Sequence, residues 1–214
     1  MVKLEDPEIL ERDVRDEYDH PLPQKVLDER TIYLSRNNYG RLLRPTGIVQ
    51  ITDFGLSVRG DVPHSGCIQA ELYRAPEVVL DAGYTYSADI WSLGVMLWDL
   101  LQGKKLFDLV DPTTGEYDDQ RHLAQITSLL GKAPDDLLRQ GQRTSMFYES
   151  DGKLKDPSLV SPGFSFEGTI DVIDGEEKRM FIEFVKRMLR WSPKERQTAK
   201  ELLNDPWLHD GFSQ

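Results

Sequence analysis

Cysteine is almost absent from this chain of 214 residues, which contains only Cys67. A single cysteine cannot build a disulfide framework within the chain, nor a zinc site made of several thiolates. We therefore interpret Cys67 as a small loop residue, and its isolation fits a protein of a reducing compartment.

Long apolar runs are missing as well. The N-terminal sequence MVKLEDPEILERD is charged throughout and has no apolar core of the length found in signal peptides. The most apolar stretch, residues 88–101, is interrupted by Asp89, Ser92 and Asp99. We expect no export signal, no membrane span and an intracellular protein, cytoplasmic or nuclear.

The chain has fewer positive than negative side chains. It contains 26 Lys and Arg residues and 37 Asp and Glu residues, which gives a net charge of -11. Because nucleic-acid backbones are polyanions, general nucleic-acid binding is an unlikely function class for this composition. The acidic surplus suits a basic partner, and simple solubility explains it equally well.

Residues 1–30 are polar and predict a solvated connection with a helical turn at most. They hold ten acidic and five basic side chains and show little apolar periodicity. From Thr31 two β-branched runs, TIYLS and GIVQIT, predict two small strands, and Asp53 closes the second. A loop rich in Gly, Ser and Pro follows at residues 57–66.

The rest of the chain is predicted to be mainly helical. The sequence SADIWSLGVMLWDLLQG runs from an N-cap at Ser87 to a terminal Gly103. Its apolar residues cover nearly the whole circumference, so we expect this helix to be the buried axis of its domain. They are Ile90, Trp91, Leu93, Val95, Met96, Leu97, Trp98, Leu100 and Leu101.

Three amphipathic helices are expected around this axis. The first begins at a cap formed by Asp118 or Asp119 and ends at Gly131. The second carries an apolar stripe made of Met180, Phe181, Phe184, Val185, Met188 and Leu189.

The third helix is short and opens at Thr198, with Glu201 at capping-box spacing. We expect it to bury Leu202 and Leu203. Residues 104–117 and 142–175 are rich in Gly, Pro, Ser and Asp and are interpreted as long surface loops.

Four motifs follow one another in order: D-F-G at residues 53–55, LYRAPEVVL at 72–80, SADIWSLGVMLWDLL from Ser87, and WSPKERQTAKELLNDPWL near the end. A lone D-F-G carries little information, because any tripeptide can occur by chance. Four motifs in this order are not expected to occur together by chance. The set resembles the C-terminal lobe of a eukaryotic protein kinase, covering residues 31–210 with its activation segment at 53–77. An unrelated helical scaffold would need all four motifs to coincide by accident.

Finer resemblance points to the SR-protein-kinase branch, particularly its fungal forms. It rests on Tyr73 and Arg74 before A-P-E, on DDQRHLAQITSLLGKAPDDLL and on DERTIYLSRN. The resemblance implies a mainly α fold with a small β-hairpin region near D-F-G, without the N-terminal lobe. It also implies protein substrates rich in Arg and Ser. Acidic clusters of this chain would attract such substrates, although solvated surface loops explain the clusters equally well. The clusters are Asp108 and Asp111, residues 116–119, and Asp135 and Asp136.

The resemblance assigns ATP and Mg²⁺ as the cofactors of the intact family. Asp53 would be the metal ligand, since a hard cation prefers carboxylate oxygen, and Gly55 would let the backbone turn beside it. Phe54 would pack inward and set the position of the segment. The alternative for Asp53 is the polar first residue of an ordinary turn.

The other matched positions are architectural or face the substrate. Tyr73, Arg74, Ala75, Pro76 and Glu77 form the substrate-side end of the activation segment. In the family, the position of Glu77 pairs with that of Arg196 in a buried ion pair. Asp89 would face inward from the central helix, near Trp91, and hold the catalytic loop; the alternative is an exposed Asp favoured by the helix dipole.

Several kinase motifs do not occur in this sequence. There is no G-x-G-x-x-G loop, no V-A-I-K strand and no H-x-D-x-x-x-x-N catalytic loop, so no general base is present. We expect either a gene product that begins at an internal methionine or a real truncated lobe.

Two functions follow from this pattern. The first is a serine/threonine kinase. This polypeptide alone would be inactive, because it lacks the general base of the catalytic loop and the glycine-rich loop that covers the nucleotide. The second is a pseudokinase-like module that binds partners without catalysis.

Overall fold

A computed structural model describes residues 8–35, 50–62 and 64–209. The chain divides into two compact units, Met1–Val58 and Arg59–Gln214, so the division falls inside the predicted activation segment. The domain boundary that we expected near residue 30 stays a prediction. It marks where the resemblance to the kinase family begins, and a division of the chain by its internal contacts does not test that.

The first unit contains one helix and one hairpin. Helix α1 spans Glu8–Asp19, and strands β1 (Gln24–Val26) and β2 (Thr31–Tyr33) pair antiparallel with Lys25 opposite Ile32. The strand predicted from TIYLS is therefore confirmed. Its partner lies in the segment expected to be irregular, where the amide of Leu27 donates to the carbonyl of Arg30 at 2.8 Å and closes the turn.

Helix α1 is longer than the single turn that we expected. Its first turn contains Glu8 and Glu11, which the helix dipole favours, and Glu11 pairs with Arg15 one turn later at 3.7 Å. No residue among 8–35 and 50–58 is buried, so this unit has no apolar core of its own in the described part. Of the predicted strand GIVQIT, residues 47–49 lie outside the described residues, and residues 50–52 are irregular.

The second unit is mainly helical. Its helices are α2 (Pro76–Val79), α3 (Ser87–Gln102), α4 (Asp119–Leu130), α5 (Asp135–Gln140), α6 (Thr144–Phe147), α7 (Phe166–Thr169), α8 (Gly175–Lys186) and α9 (Ala199–Leu202). Short 3₁₀ turns lie at Glu71–Tyr73, Pro157–Leu159, Pro193–Glu195 and Pro206–Leu208. Within the described residues, no helix combines the length and the apolar character needed to cross a membrane.

Two of the three predicted N-caps are present, whereas Ser87, predicted as the N-cap of α3, is the first residue of that helix, and Tyr86 occupies the cap position without a side-chain hydrogen bond. Asp118 caps α4 by accepting from the amide of Gln120 at 2.7 Å, and Thr198 and Glu201 form the expected capping box of α9. Leu202 is buried, but Leu203 is 65% exposed, so the expectation for Leu203 is wrong. Helix α9 ends at Leu202, and Leu203 therefore lies past its buried face. The segment 142–175, predicted as loop, contains α6 and α7.

Helix α3 is buried on one face only. Trp91 and Trp98 are completely or almost completely buried, but Leu100 is 71% exposed on the opposite side. The prediction of an axis buried all round is therefore wrong for this chain. The apolar residues of α3 that remain exposed are Leu93, Met96 and Leu100.

The buried face of α3 lies close against the segment that follows α8. Gly94 makes this approach possible, because a Cβ at this position would lie 2.9 Å from Leu189 Cδ2 and 3.1 Å from Met188 Cβ. Both neighbours are themselves buried, with exposures of 1% or less. Any larger residue at position 94 must push the two segments apart.

We expect Gly94→Val to lower the free energy of unfolding by about 1–3 kcal/mol, because it overpacks this contact. Chemical denaturation measures the change. The matched control is Gly168→Val in α7, where a Cβ would meet only Ser165 Oγ at 3.4 Å. Equal losses in the two variants would show that helix propensity, rather than the α3 contact, governs the effect.

Candidate functional site

Asp53 has a backbone conformation unusual for a residue other than glycine. Its φ of 65° and ψ of 57° lie in the left-handed region, directly before the 3₁₀ turn Phe54–Leu56. Such a conformation costs energy for most residues, is tolerated best by Asn and Asp, and is concentrated at functional sites. The side chain is exposed, so its carboxylate is open to a ligand.

A magnesium ion fits Asp53 as one ligand among several. Mg²⁺ is held in phosphate-transfer sites by one or two carboxylates, by phosphate oxygens and by waters, rather than by a cage of protein ligands. The described residues contain no group of three or more Asp, Glu, His or Cys side chains that could hold a metal by themselves. The left-handed backbone lies at Asp53 itself rather than at Gly55, where a Cβ would make only an ordinary contact, 3.9 Å from Asp53 Oδ1.

Phe54 does not pack inward as predicted. Its side chain is 66% exposed in this chain. The physical reason is local, because the described part of the first unit has no buried residue and therefore no apolar core for the ring.

Gln69 anchors the end of the segment that was predicted to face the substrate, and no motif in the sequence pointed to it. Its φ of 68° is left-handed, and its amide nitrogen donates to the carbonyl of Ala88 and to Ser92 Oγ, both at 2.8 Å. Its amide oxygen accepts from the backbone of Ala75 at 2.9 Å. The side chain of Gln69 thus connects the segment to the start of α3. No local sequence pattern predicts this contact.

Tyr73 is held to the same helix at two points. Its hydroxyl donates to Asp99 Oδ2, and its carbonyl accepts from Ser92 Oγ at 2.9 Å. The hydrogen bond to the Asp99 carboxylate, with some burial, raises the pKa of Tyr73 above its ordinary value. The phenol therefore stays protonated and keeps its position at neutral pH.

Arg74 bends back over the segment. Its guanidinium donates to the carbonyls of Ile68 and Gln69 at 3.3 and 3.5 Å and lies over the ring of Tyr117, 5.2 Å from the centroid. It also lies 3.8 Å from Asp119 at the start of α4. These contacts fix the backbone carbonyls that precede Tyr73.

Arg143 extends this link to the region between α5 and α6. It donates to Asp119 Oδ2 at 2.6 Å and to the carbonyl of Val79 at 2.9 Å. Asp119 therefore lies between two arginines, Arg74 and Arg143. The sequence analysis listed Asp119 only as a helix cap or as part of an acidic cluster, and it did not single out Arg143.

Glu77 and Arg196, expected as an ion pair, form one in the second unit. Two bonds of 2.6 Å join the guanidinium to the carboxylate in a bidentate arrangement, and the side chains are 1% and 0% exposed. Pro76 occupies the first position of α2, where its missing N–H costs nothing, and Ala75 before it is completely buried. The end of the segment is thus embedded in the core.

The other donors of Arg196 are also used. It donates to the carbonyls of Ser87 at 2.9 Å and Arg190 at 3.0 Å, and its guanidinium lies 5.1 Å from the ring centroid of Trp91. A buried charge is tolerable only when its hydrogen bonds are satisfied. Arg196 therefore joins α2, the first turn of α3 and the turn after α8.

Asp89 does not face inward. It lies in the first turn of α3 and is exposed, so the alternative reading of this residue describes it correctly. An exposed carboxylate near a helix N-terminus keeps its hydration and interacts favourably with the helix dipole. An inward position would have carried a desolvation cost that nothing on the described part of α3 offsets.

His122 is a completely buried histidine that the sequence analysis did not consider. Its Nδ1 lies 2.9 Å from the hydroxyl of Tyr117, while its Nε2 has no hydrogen-bond partner among the described residues. Burial lowers the pKa of His122 to about 3, although nearby Asp119 acts in the opposite direction. The same burial raises the pKa of Tyr117, so both groups are neutral at neutral pH.

Comparison with known proteins adds the following. Residues 38–208 match the protein kinase domain family. A serine/threonine protein kinase of Aspergillus fumigatus is 41% identical over 88% of the chain and 47% of its own length. The dual specificity protein kinase lkh1 of Schizosaccharomyces pombe is 30% identical, covering 89% of the chain and 29% of the relative. The serine/threonine-protein kinase SKY1 of Saccharomyces cerevisiae is 34% identical, covering 76% and 22%.

The chain spans less than half of the length of these relatives. The matches concern the motifs and helices described above, and whatever the remaining parts of the relatives contribute lies outside them.

We expect Glu77→Gln to lower the free energy of unfolding by about 3–5 kcal/mol, because it leaves the buried Arg196 charge uncompensated. Urea denaturation measures the loss. The control is Glu176→Gln, which removes a pair with Arg179 whose side chains are 64% and 54% exposed, and it should cost less than about 1 kcal/mol. A loss at Glu77 no larger than that of the control would contradict a structural role for the buried pair.

Stability should fall by about 2 kcal/mol between pH 7 and pH 5 because of His122. The folded protein holds the pKa at about 3, below the ordinary value of 6.5, so the unfolded state binds the proton first and acid favours unfolding. Denaturation of the parent chain and of His122→Gln at both pH values tests this. Between pH 7 and pH 5 the variant should lose about 2 kcal/mol less stability than the parent chain. Equal losses of stability in the two proteins would show that His122 does not titrate as stated.

Proposed function

The chain belongs to the protein kinase domain family, and we propose that it forms the part of a serine/threonine kinase that supplies one metal ligand and positions the protein substrate. The observation that carries the proposal is the buried Glu77–Arg196 pair, which fixes the end of the activation segment to the helices. Phosphoryl transfer depends mostly on positioning the phosphates, the metal and the acceptor hydroxyl, so a rigid substrate side is what this chemistry requires.

The metal side rests on Asp53. Its exposed carboxylate and left-handed backbone suit a ligand of the Mg²⁺ that accompanies ATP in the family. In such a site the metal neutralises charge on the phosphates.

The proposed substrates are proteins rich in Arg and Ser, in keeping with the SR-protein-kinase-like branch, to which the fungal serine/threonine kinases among the relatives also point. Several acidic residues of the second unit already have internal roles, since Asp118 caps α4 and Asp119 pairs with Arg143. Asp108, Glu116 and Asp136 are exposed and remain available to attract a basic segment.

This polypeptide by itself should not transfer phosphate, because its sequence has no catalytic-loop base, no strand lysine and no glycine-rich loop. The second candidate function is therefore a binding module without catalysis. The observation that favours it is the same segment end, Gln69 to Glu77, which is held by hydrogen bonds and an ion pair within the chain.

A chimaera distinguishes the two functions. The N-terminal part of the kinase domain of the Aspergillus fumigatus relative, joined to this chain, should transfer phosphate from ATP to an Arg-Ser peptide. In that chimaera Asp53→Asn should lower the rate by at least about a hundredfold, because it removes charge stabilisation at the phosphates. Radiolabel transfer measures the rate.

The matched control is Asp61→Asn, which alters an exposed aspartate of the same segment that pairs with Arg59. It should change the rate little. A folded chimaera that binds the peptide but transfers no phosphate would favour the binding module, and equal rates in Asp53→Asn and Asp61→Asn would remove Asp53 from the site.

A further inference from the structure

Helix α1 carries a stripe of large apolar side chains on its surface. Leu10, Val14 and Tyr18 follow one another at intervals of four residues, so they lie on one face of the helix. Their exposures are 51%, 56% and 85%, and no residue of α1 is buried. We call these three residues the α1 stripe.

A helix of this kind is not expected to be stable without a contact. Helices as short as the 12 residues of α1 are marginal in water when isolated, and in proteins their stability comes mainly from packing of an apolar face. The described part of the first unit offers no core against which the stripe could pack, since none of its residues is buried.

Charge along the edges of the α1 stripe selects the chemistry of a partner. According to the helical periodicity, Asp13 and Glu17 lie along one edge, and Glu11 lies along the other edge beside Arg15, with which it pairs at 3.7 Å. The whole helix contains six carboxylates and two arginines. An anionic membrane surface or a nucleic acid would be repelled by this arrangement, whereas lysines or arginines would be attracted, above all along the edge of Asp13 and Glu17.

We propose that the α1 stripe is a docking site for a cationic amphipathic helix of a partner protein. The apolar face of the partner lies along Leu10, Val14 and Tyr18, and its basic residues face Asp13 and Glu17. This is the mode in which an amphipathic helix is recognised by an apolar stripe with charged edges, the edges setting the choice of partner. The site is separate from phosphoryl transfer and does not depend on it.

The test uses the full chain and a fluorescein-labelled, alanine-based helical peptide with leucine at every fourth position and lysine on both sides of the leucines. Fluorescence anisotropy should show binding that weakens as salt is added. The same peptide with glutamate in place of each lysine should bind at least about tenfold more weakly, because like charges then face each other.

Variants of the chain locate the site. Val14→Asp should weaken binding of the lysine peptide by about tenfold or more, since it places a charge in the middle of the apolar contact. Asp13→Asn should weaken it, whereas the matched change Asp19→Asn, on the opposite side of α1, should leave it unchanged. Circular dichroism should show that the variants keep their helix content.

Three results would overturn the proposal. The first is equal binding of the lysine and glutamate peptides. The second is self-association of the chain that Val14→Asp abolishes, which would make a second copy the occupant. The third is a large drop in melting temperature for Val14→Asp without any peptide binding to the parent chain, which would mean that the stripe packs within the protein.

Discussion

The second unit depends on one interaction more than any other, the buried ion pair of Glu77 and Arg196. Two charges in the core are tolerable only if they meet each other and satisfy their remaining hydrogen bonds. Here the carboxylate takes two bonds from the guanidinium, and the carbonyls of Ser87 and Arg190 take two more. These partners belong to α2, to the start of α3 and to the turn after α8. Moving any one of these elements would therefore leave a buried charged group without one of its partners.

Around this pair the end of the predicted activation segment is held by a continuous set of contacts. Gln69 and Tyr73 bind α3, and Arg74 reaches Asp119, which Arg143 holds from the other side. Asp53 differs, because it lies in a unit whose described residues include none that is buried. The described residues thus include a segment end held rigidly within the second unit and, in the first unit, an exposed carboxylate.

Local patterns located the main helices and two of their N-caps, but they failed for the length of α1, for the cap at Ser87 and for the segment 142–175. Predictions that required knowledge of distant neighbours succeeded only in part. Asp118 and the Thr198–Glu201 capping box could be located because a cap involves residues two or three positions apart. Phe54, Asp89 and the outer face of α3 were expected to be buried and are exposed. Apolar periodicity shows that a face can be buried, but whether another segment covers it depends on residues that are far away in the chain or not part of it.

Sequence patterns were enough to identify the kinase family, now supported by the match over residues 38–208, together with the main helices, the caps of α4 and α9 and the identity of the charged pair. Which other side chains meet became clear from the folded chain alone. Arg143 and Asp119 are 24 positions apart, and the positions of Gln69 and His122 follow no local pattern. The physical reason is that backbone hydrogen bonds and caps are satisfied by near neighbours, whereas burial and the pairing of buried charges are settled by segments that fold together from distant parts of the chain.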